Sequence, residues 1–288
     1  MPIPKSSDDH TPYQSRERRK WYCCPLCGQK DGFVPYRKRP MARCLVCAAK
    51  ERARLMALII KKLKLRTGGL PVYHFAPETG ISLLLQQIYG DRYRAADLFP
   101  ENYPDVGVPV NKVDLTAPLE SIPAGSCGGL IHSHVLEHIP VSLDRLITEL
   151  NATLAPGGFH IFQAPVHAGW YREDMDPNLD SPIRTERFYQ DDHMRAFGIE
   201  DFQSRVLDLF RGFDQVELSS LVTPEELTRG VIPSNVFSEY TSHSVFVFVK
   251  HGRLPVVKPW IKNKFDRFFG PPLEPKPTIA DYYRTLPR

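Results

Sequence analysis

Residues 71–80, PVYHFAPETG, have the pattern of a buried strand that runs into a tight turn before a helix. Nucleotide-binding sheets carry a glycine-rich loop at this place, commonly G-x-G-x-G. Ala76, Glu78 and Gly80 occupy the three glycine positions here, so only the last is glycine. The stretch therefore predicts either an altered cofactor loop or an ordinary strand end, and the surrounding sequence must decide between them.

The sequence around this stretch predicts the fold class. From residue 70 to about 250, short apolar runs alternate with helical stretches, which is typical of a parallel sheet covered by helices. The predicted strands are VYHFA (72–76), YRAAD (93–97), VNKVD (110–114), GLIHSH (129–134) and FHIFQAP (159–165). Two later runs, FDQVELSS (213–220) and HSVFVFVKH (243–251), predict an antiparallel pair at one edge. We therefore expect an α/β fold with a mostly parallel, Rossmann-like sheet.

The 288 residues allow one sizeable domain and a small appendage. The net charge of +4 hides an asymmetry: residues 1–66 carry 17 Lys and Arg against 5 Asp and Glu, and the rest carries 20 against 28. This basic front end indicates either a solvated surface or an anionic partner such as nucleic acid. Because the sequence has no membrane-spanning run and no secretory pattern, we expect a cytoplasmic protein with reduced cysteines.

Four of the six cysteines have the spacing of a metal-binding ribbon. Cys24, Cys27, Cys44 and Cys47 form the pattern C-x2-C-x16-C-x2-C, which lets two turns direct four thiolates at one tetrahedral Zn²⁺. Such a site has no open coordination position, so the metal is expected to be structural. Redox pairs or unrelated buried thiols are the alternatives, and Cys23 could replace Cys24 as a ligand.

These patterns divide the chain into five segments. We predict a flexible basic tail (1–22), a zinc ribbon (23–49), an amphipathic connecting helix (50–69), the α/β domain (70–251) and a proline-rich extension (252–288). Apolar residues at helical spacing mark the connecting helix, and the sequence Thr67-Gly68-Gly69 is expected to end it.

Several motifs in order resemble those of one family. They are CPLC with CLVC in the ribbon, ERAR (51–54), HFAPE (74–78), SHVLEH (133–138), PGG (156–158) and DHMRAFG (192–198). The series resembles the class I S-adenosylmethionine-dependent methyltransferases, and in particular a bacterial subgroup that joins a zinc ribbon to the methyltransferase domain. The resemblance covers residues 23 to about 250 and implies that the stretch 71–80 is a methyl-donor loop.

The residues that would hold the methyl donor lie at the ends of the predicted strands. Asp97 ends the second strand, about 17 residues beyond Gly80, where a carboxylate accepts hydrogen bonds from ribose hydroxyls. Glu78 can offer its carboxylate to the ammonium of the methionine moiety, or it can cap the following helix. The cofactor set implied by the resemblance is His74, Ala76, Glu78, Gly80, Asp97, Asp114 and His134.

The acceptor side is predicted from the segments after the fourth and fifth strands. We expect His193 to be the general base, oriented by Asp192, with His138 nearby, because the pKa of histidine suits proton removal near neutral pH. Alternatively, Asp192 only begins a helix over HMRAFGIEDF. Arg195 or Arg187 would hold an anionic group of the acceptor, and Tyr171 would stack on a flat one or else pack inside the lid.

The sequence thus predicts an S-adenosylmethionine-dependent methyltransferase with a structural zinc ribbon, acting on a hydroxyl or amine of a small or carbohydrate-like molecule. Two alternatives remain open. One is the same chemistry on RNA or a carrier-bound substrate, with the basic ribbon contacting phosphates. The other is a non-catalytic binding module whose altered loop no longer holds the donor.

Overall fold

The computed structural model describes residues 21–254. Most of the predicted basic tail (1–22) and most of the proline-rich extension (252–288) therefore lie outside the described residues. Within residues 21–254, no helix has the length and apolar character that crossing a membrane requires.

Twelve strands and seven α-helices make up the described part of the chain. The strands are β1 (Phe33–Tyr36), β2 (Arg39–Cys44), β3 (Val72–Phe75), β4 (Tyr93–Asp97), β5 (Val110–Lys112), β6 (Cys127–Ser133), β7 (Leu154–Gln163), β8 (Val166–His167), β9 (Arg172–Glu173), β10 (Arg195–Gly198), β11 (Phe213–Gln215) and β12 (Phe246–Lys250). The helices are α1 (Glu51–Leu63), α2 (Thr79–Tyr89), α3 (Pro118–Ser121), α4 (Leu143–Thr153), α5 (Ser181–Phe188), α6 (Phe202–Arg205) and α7 (Pro224–Arg229).

Seven strands form the central sheet in the order β11-β12-β7-β6-β3-β4-β5. Strands β3 to β7 pair in parallel, whereas β12 is antiparallel to both β7 and β11. The order reverses beside β3, where the chain first adds β4 and β5 on one side and later adds β6 and β7 on the other. This is the predicted Rossmann-like sheet with an antiparallel edge pair, and the fold class is confirmed. In such sheets, ligands bind beyond the carboxyl ends of the strands at the reversal point.

The two faces of the sheet bury separate apolar clusters. Along β12, Val247 belongs to the cluster under α1, α2 and the ribbon, whereas Phe246 and Phe248 belong to the cluster under α4 and α6. This alternation follows from the period of two in a strand, because successive side chains point to opposite faces. Helices on both faces bury the sheet and leave its strand ends as the place for a site.

Two small sheets lie outside the central one. Strands β1 and β2 form the antiparallel hairpin of the cysteine module. Strand β10 pairs in parallel with β8 and antiparallel with β9, and so forms a separate three-stranded sheet just after β7. The segment HMRAFGIEDF therefore contains a strand where one alternative reading of the sequence placed a helix begun by Asp192, and that alternative is wrong.

Two local expectations need correction. Helix α1 ends at Leu63, before the predicted stop at 67–69, because Lys64 adopts a left-handed conformation with φ 47°. The segment SHVLEH also predicts that Glu137 and His138 open the next helix, but α4 begins at Leu143, so both residues lie in an irregular segment after β6.

Candidate functional site

The loop after β3 turns sharply at a residue that is not glycine. Ala76 has a φ of +47°, in the left-handed region that glycine adopts most easily. Glu78 occupies the N-cap position of α2 but makes no capping hydrogen bond with its side chain. Its carboxylate instead accepts from Arg52, with Oε1 3.0 Å from a guanidinium nitrogen. The loop therefore presents a carboxylate and a guanidinium side by side, both partly exposed.

Gln163 connects this charged pair to the ends of the neighbouring strands. Its side-chain amide donates to the Arg52 carbonyl at 3.3 Å, and its carbonyl accepts from the Ser133 hydroxyl at 3.0 Å. Because Gln163 ends β7 and Ser133 ends β6, the start of α1 is fixed against the carboxyl edge of the sheet.

His74, one of the predicted cofactor residues, is buried inside β3. Its Nδ1 lies 3.0 Å from the Tyr93 hydroxyl and 3.4 Å from Ser82 Oγ. Burial lowers the pKa of His74 to about 3, so the ring is neutral at physiological pH. The predicted contact of His74 with a cofactor is therefore corrected to a role in the packing of β3 against β4 and α2.

The two predicted aspartates follow β4 and β5 at the same edge. Asp97 accepts hydrogen bonds from the Phe99 amide and from the Tyr103 hydroxyl, each at 2.9 Å. Asp114 is exposed and accepts from the Thr116 amide at 2.8 Å. Both carboxylates are thereby held in place, and each oxygen retains a lone pair for a ligand.

A buried carboxylate lies beyond the end of β6. Glu137 is fully buried, and neither carboxylate oxygen has a hydrogen-bond partner within the described residues. Its Oε1 lies 3.4 Å from Nδ1 of His134 and 4.0 Å from Nε2 of His138. His134 has a φ of +56°, and such strained residues are concentrated at functional sites.

His193 completes the group around Glu137. One ligand-type atom from each of Glu137, His138 and His193 lies within 4.8 Å of the others. Nδ1 of His193 donates to the Phe188 carbonyl at 2.9 Å, while Nε2 is buried without a partner in the described chain. Burial lowers the pKa of His193 more than the nearby Glu137 raises it, which keeps the ring neutral.

Asp192 does not orient His193 as the sequence suggested. Its carboxylate lies 3.2 Å from Nδ1 of His138, whereas His193 is oriented by the backbone carbonyl of Phe188. Asp192 lies in the turn before β10, where its side chain is directed at His138.

Arg195 supports this site from within the protein. It is fully buried, and its guanidinium donates to the carbonyls of Leu136, Ile139 and Val141. The Met194 amide adds a bond of 2.7 Å to the Glu137 carbonyl. The predicted role of Arg195 in binding the acceptor is therefore corrected to that of holding the 136–141 segment in place.

The remaining acceptor candidates lie in the excursion between β7 and β10. Arg187 is half-exposed and pairs with Asp174 at 3.0 Å. Tyr171 is partly buried and donates to Glu173 at 2.6 Å. Trp170 beside it is 66% exposed and is the most accessible aromatic side chain of the excursion.

The four predicted metal ligands converge in the ribbon. Sγ of Cys24 lies 3.6 Å from Sγ of Cys47, and the same distance separates Cys27 from Cys44. All four sulfur atoms lie within 4.8 Å of one another. A tetrahedral Zn²⁺ with bonds of about 2.3 Å requires sulfur separations of about 3.8 Å, so the thiols fit this ion. Cys23 lies outside the cluster.

The two cysteine turns have the same backbone pattern. Gly28 donates to the Cys24 carbonyl at 2.9 Å, and Ala48 donates to the Cys44 carbonyl at 3.0 Å. Both residues have left-handed φ values, +76° and +56°. The glycine of the first turn was evident in the sequence, whereas Ala48 carried no such signal.

Arg54 of α1 joins the ribbon to residues 230–231. The fully buried guanidinium donates to the carbonyls of Ala42, Ala49, Gly230 and Val231.

A cleft of about 220 Å³ separates the second cysteine turn from the start of α2 and is lined by Ala48, Arg52, Glu78 and Gly80, among others. The cysteine module thus borders the loop after β3. Arg52 and Arg54 were visible only as part of the ERAR motif.

No protein-family model and no curated protein matches the chain. Among solved structures, it is similar to an S-adenosylmethionine-dependent methyltransferase from Mesorhizobium loti, with a TM-score of 0.46 and 13% identity over 70% of this chain and 98% of that one. It is also similar to a SAM-dependent methyltransferase from Archaeoglobus fulgidus, with a TM-score of 0.42 and 17% identity over 69% and 91%. A third is 1,6-didemethyltoxoflavin-N1-methyltransferase from Burkholderia thailandensis, solved with S-adenosylhomocysteine, with a TM-score of 0.42 and 15% identity over 70% and 79%.

Proposed function

We propose that this protein is an S-adenosylmethionine-dependent methyltransferase. The observation that carries the proposal is the convergence of three features at the carboxyl edge beside the reversal of strand order. These are the paired charges of Glu78 and Arg52, the carboxylate of Asp97, and the buried group around Glu137. Open α/β sheets bind their ligands at this place.

The charged side chains at this edge suit both the methionine moiety and the ribose of S-adenosylmethionine. Its methionine moiety is a zwitterion, so Glu78 would bind the ammonium and Arg52 the carboxylate through charge-assisted hydrogen bonds. Asp97 would accept from the ribose hydroxyls, and the exposed ring of Phe99 offers an apolar surface to the base. Ala76, Gly80, Asp114 and His134 remain proposed neighbours of the cofactor. When bound, the cofactor supplies an electrophilic methyl group on a sulfonium.

The acceptor would bind beside the buried histidines. A neutral His193 has a free Nε2, which is the form that removes a proton from a hydroxyl or an amine. His138, held by Asp192, is 34% exposed in its side chain and would form the open side of this region. We propose a small or carbohydrate-like acceptor, with Arg187 and Tyr171 contacting it from the excursion.

The ribbon is proposed to hold structural zinc. Cys24, Cys27, Cys44 and Cys47 would bind it as thiolates and leave no position for a substrate. Because such thiols must stay reduced until they bind metal, we also propose a cytoplasmic location.

A second candidate function uses the same chemistry on RNA or on a carrier-bound substrate. Arg37, Lys38 and Arg43 are exposed on the ribbon hairpin and favour an anionic partner. Arg39 is also exposed, but it forms an ion pair of 3.0 Å with Glu51. A strong dependence of binding on salt concentration would distinguish this partner from an uncharged small molecule.

Calorimetric titration of the zinc-replete protein with S-adenosylhomocysteine tests the proposed function. We expect binding in the micromolar range that is weakened at least tenfold by Asp97→Asn. The matched control is Asp214→Asn, since Asp214 is an exposed aspartate on β11 at the opposite edge of the sheet. A folded wild-type protein that does not bind would leave the non-catalytic binding module as the better interpretation.

A further inference from the structure

The group around Glu137 contains a buried carboxylate that receives no hydrogen bond from the described residues. A buried carboxylate without hydrogen bonds costs several kcal/mol unless an opposite charge compensates it. Both oxygens of Glu137 lack a hydrogen-bond partner in residues 21–254, and the side chain is fully buried. The surrounding atoms should therefore provide a donor or a positive charge.

The surrounding histidines instead present acceptors. Nδ1 of His138 lies against the Asp192 carboxylate, and Nδ1 of His193 lies against the Phe188 carbonyl, so each Nδ1 carries the proton. Nε2 of His138 lies 4.0 Å from Oε1 of Glu137, and the buried Nε2 of His193 has no hydrogen-bond partner in the described chain. His134 repeats this arrangement, with Nε2 3.2 Å from the Ser242 carbonyl and Nδ1 facing the carboxylate. Ring nitrogens that can bind a metal ion thus lie beside a buried carboxylate whose oxygens accept no hydrogen bond from the described residues.

A bound cation resolves this arrangement, and we propose that Glu137, His138 and His193 form a binding site for a divalent transition-metal ion. Two imidazoles and one carboxylate are a ligand set that Zn²⁺, Mn²⁺, Fe²⁺ and Co²⁺ accept. Metal-binding histidines are oriented by a carboxylate or carbonyl at the nitrogen that does not bind the metal. Nδ1 of His138 already has the Asp192 carboxylate as such a partner, and Nδ1 of His193 has the Phe188 carbonyl. His134 is placed to join as a fourth ligand or to bind a metal-bound water.

The fold holds these ligands rigidly and leaves one side open. The Arg195 side chain donates to the carbonyls of Leu136, Ile139 and Val141, and the Met194 amide donates to the Glu137 carbonyl, so hydrogen bonds join the two ligand segments. The side chains of His138 and Asp192 are 34% and 62% exposed and provide a path from solvent.

The ion would have coordination positions left for water or for an oxygen of the acceptor. Contact with the acceptor rests on the proposed methyltransferase function, whereas ion binding does not. With the ion bound, Nε2 of His193 would be a ligand, so the general-base role proposed for His193 applies to the ion-free protein.

Metal analysis of the whole chain tests the proposal. The zinc-replete protein is dialysed against Co²⁺, freed of unbound ion, and measured for zinc and cobalt by mass spectrometry. We expect one cobalt per chain in addition to the ribbon zinc. The absorption spectrum of the cobalt-loaded protein should lack the ultraviolet thiolate-to-cobalt charge-transfer band. An ion bound in the cysteine ribbon would produce that band.

Three variants distinguish this site from nonspecific uptake. Glu137→Gln keeps the side-chain shape and should weaken cobalt binding at least tenfold, while the zinc content is unchanged. His138→Gln, at a partly exposed position, gives the same test if the first variant does not fold. His251→Gln is the matched control, since the ring of His251 is 59% exposed and pairs with Asp214 on the edge strand, and it should bind cobalt like the wild type.

A folded wild type that takes up no second ion at millimolar cobalt would overturn the proposal, as would uptake that neither Glu137→Gln nor His138→Gln reduces. The titration with S-adenosylhomocysteine is independent of this result. Cofactor binding without a second ion would refute only the metal site, and ion binding without cofactor binding would refute only the methyltransferase assignment.

Discussion

Three buried histidines lie in the central strands, and each has a lowered pKa. His74 in β3, His132 in β6 and His160 in β7 are fully buried, and desolvation is the main cause in each case. His132 and His160 bond to each other through their Nε2 atoms at 2.9 Å. Because the unfolded chain would protonate these rings near pH 6.5, acid must destabilise the fold.

His74 allows a direct measurement of this effect. Between its unfolded pKa of about 6.5 and its folded pKa of about 3, the unfolded state binds one more proton than the folded state, so stability falls as the pH falls through this range. From pH 7.5 to pH 5, His74 alone should lower the free energy of unfolding by about 2 kcal/mol. Urea unfolding of His74→Gln at both pH values should show a loss smaller than that of the wild type by this amount. An equal loss in both proteins would mean that His74 is not held neutral.

At the level of elements, β10 and the segment after β6 depend on each other. The buried guanidinium of Arg195 links them by donating to the carbonyls of Leu136, Ile139 and Val141. One alternative from the sequence was a helix here, because Asp192 is a capping residue, yet pairing with β8 and β9 makes the segment extended. Tertiary pairing overrides a weak local preference.

Replacing Arg195 separates a positioning role from an acceptor-binding role. Arg195→Met should lower the free energy of unfolding by about 3 kcal/mol, because buried carbonyls lose their donors. Arg187→Met is the control: the side chain of Arg187 is 52% exposed in a single ion pair, so its loss should cost less than about 1 kcal/mol. Thermal and urea unfolding measure both. If Arg195→Met kept wild-type stability but raised the KM for the acceptor, the original assignment to acceptor binding would be restored.

At the scale of the whole molecule, the ribbon, α1 and the sheet share one core. Leu26 and Cys47 of the ribbon belong to the same buried cluster as Ile60 of α1 and Val72 and Ile161 of the sheet. Arg54 adds four buried hydrogen bonds that join the ribbon, α1 and residues 230–231. The module between residues 23 and 49 therefore covers part of the sheet's apolar face and is more than an appendage.

A chain that begins at residue 70 tests this shared core. We expect it to be aggregated, or to unfold at least about 10 °C below the wild type, because removal of the ribbon and α1 exposes one face of the sheet. Arg54→Met keeps every residue but removes the four hydrogen bonds, and its melting temperature should lie between the two. Calorimetric scans provide the values. Wild-type melting and cofactor binding by the shortened chain would establish the ribbon as a separable module.

The sequence by itself determined the features that depend on local pattern. Alternating apolar runs predicted the α/β sheet and its antiparallel edge pair, and YRAAD (93–97) coincides with β4. The spacing of Cys24, Cys27, Cys44 and Cys47 predicted the cluster of four thiols, because short turns fix the positions of residues three apart. Strand ends also predicted which segments meet at the carboxyl edge, since parallel strands all end on one side.

Only the tertiary structure decided how charged and polar side chains pair across the sequence. Arg52 contacts Glu78, His193 approaches Glu137, and Arg54 reaches Gly230, over separations that no local pattern encodes. Buried polar groups must find partners, and these partners come from whichever elements the sheet order brings together. For this reason the sequence identified His193 and Arg195 but gave them other neighbours, and the three-dimensional fold determined which atoms face each other in the site.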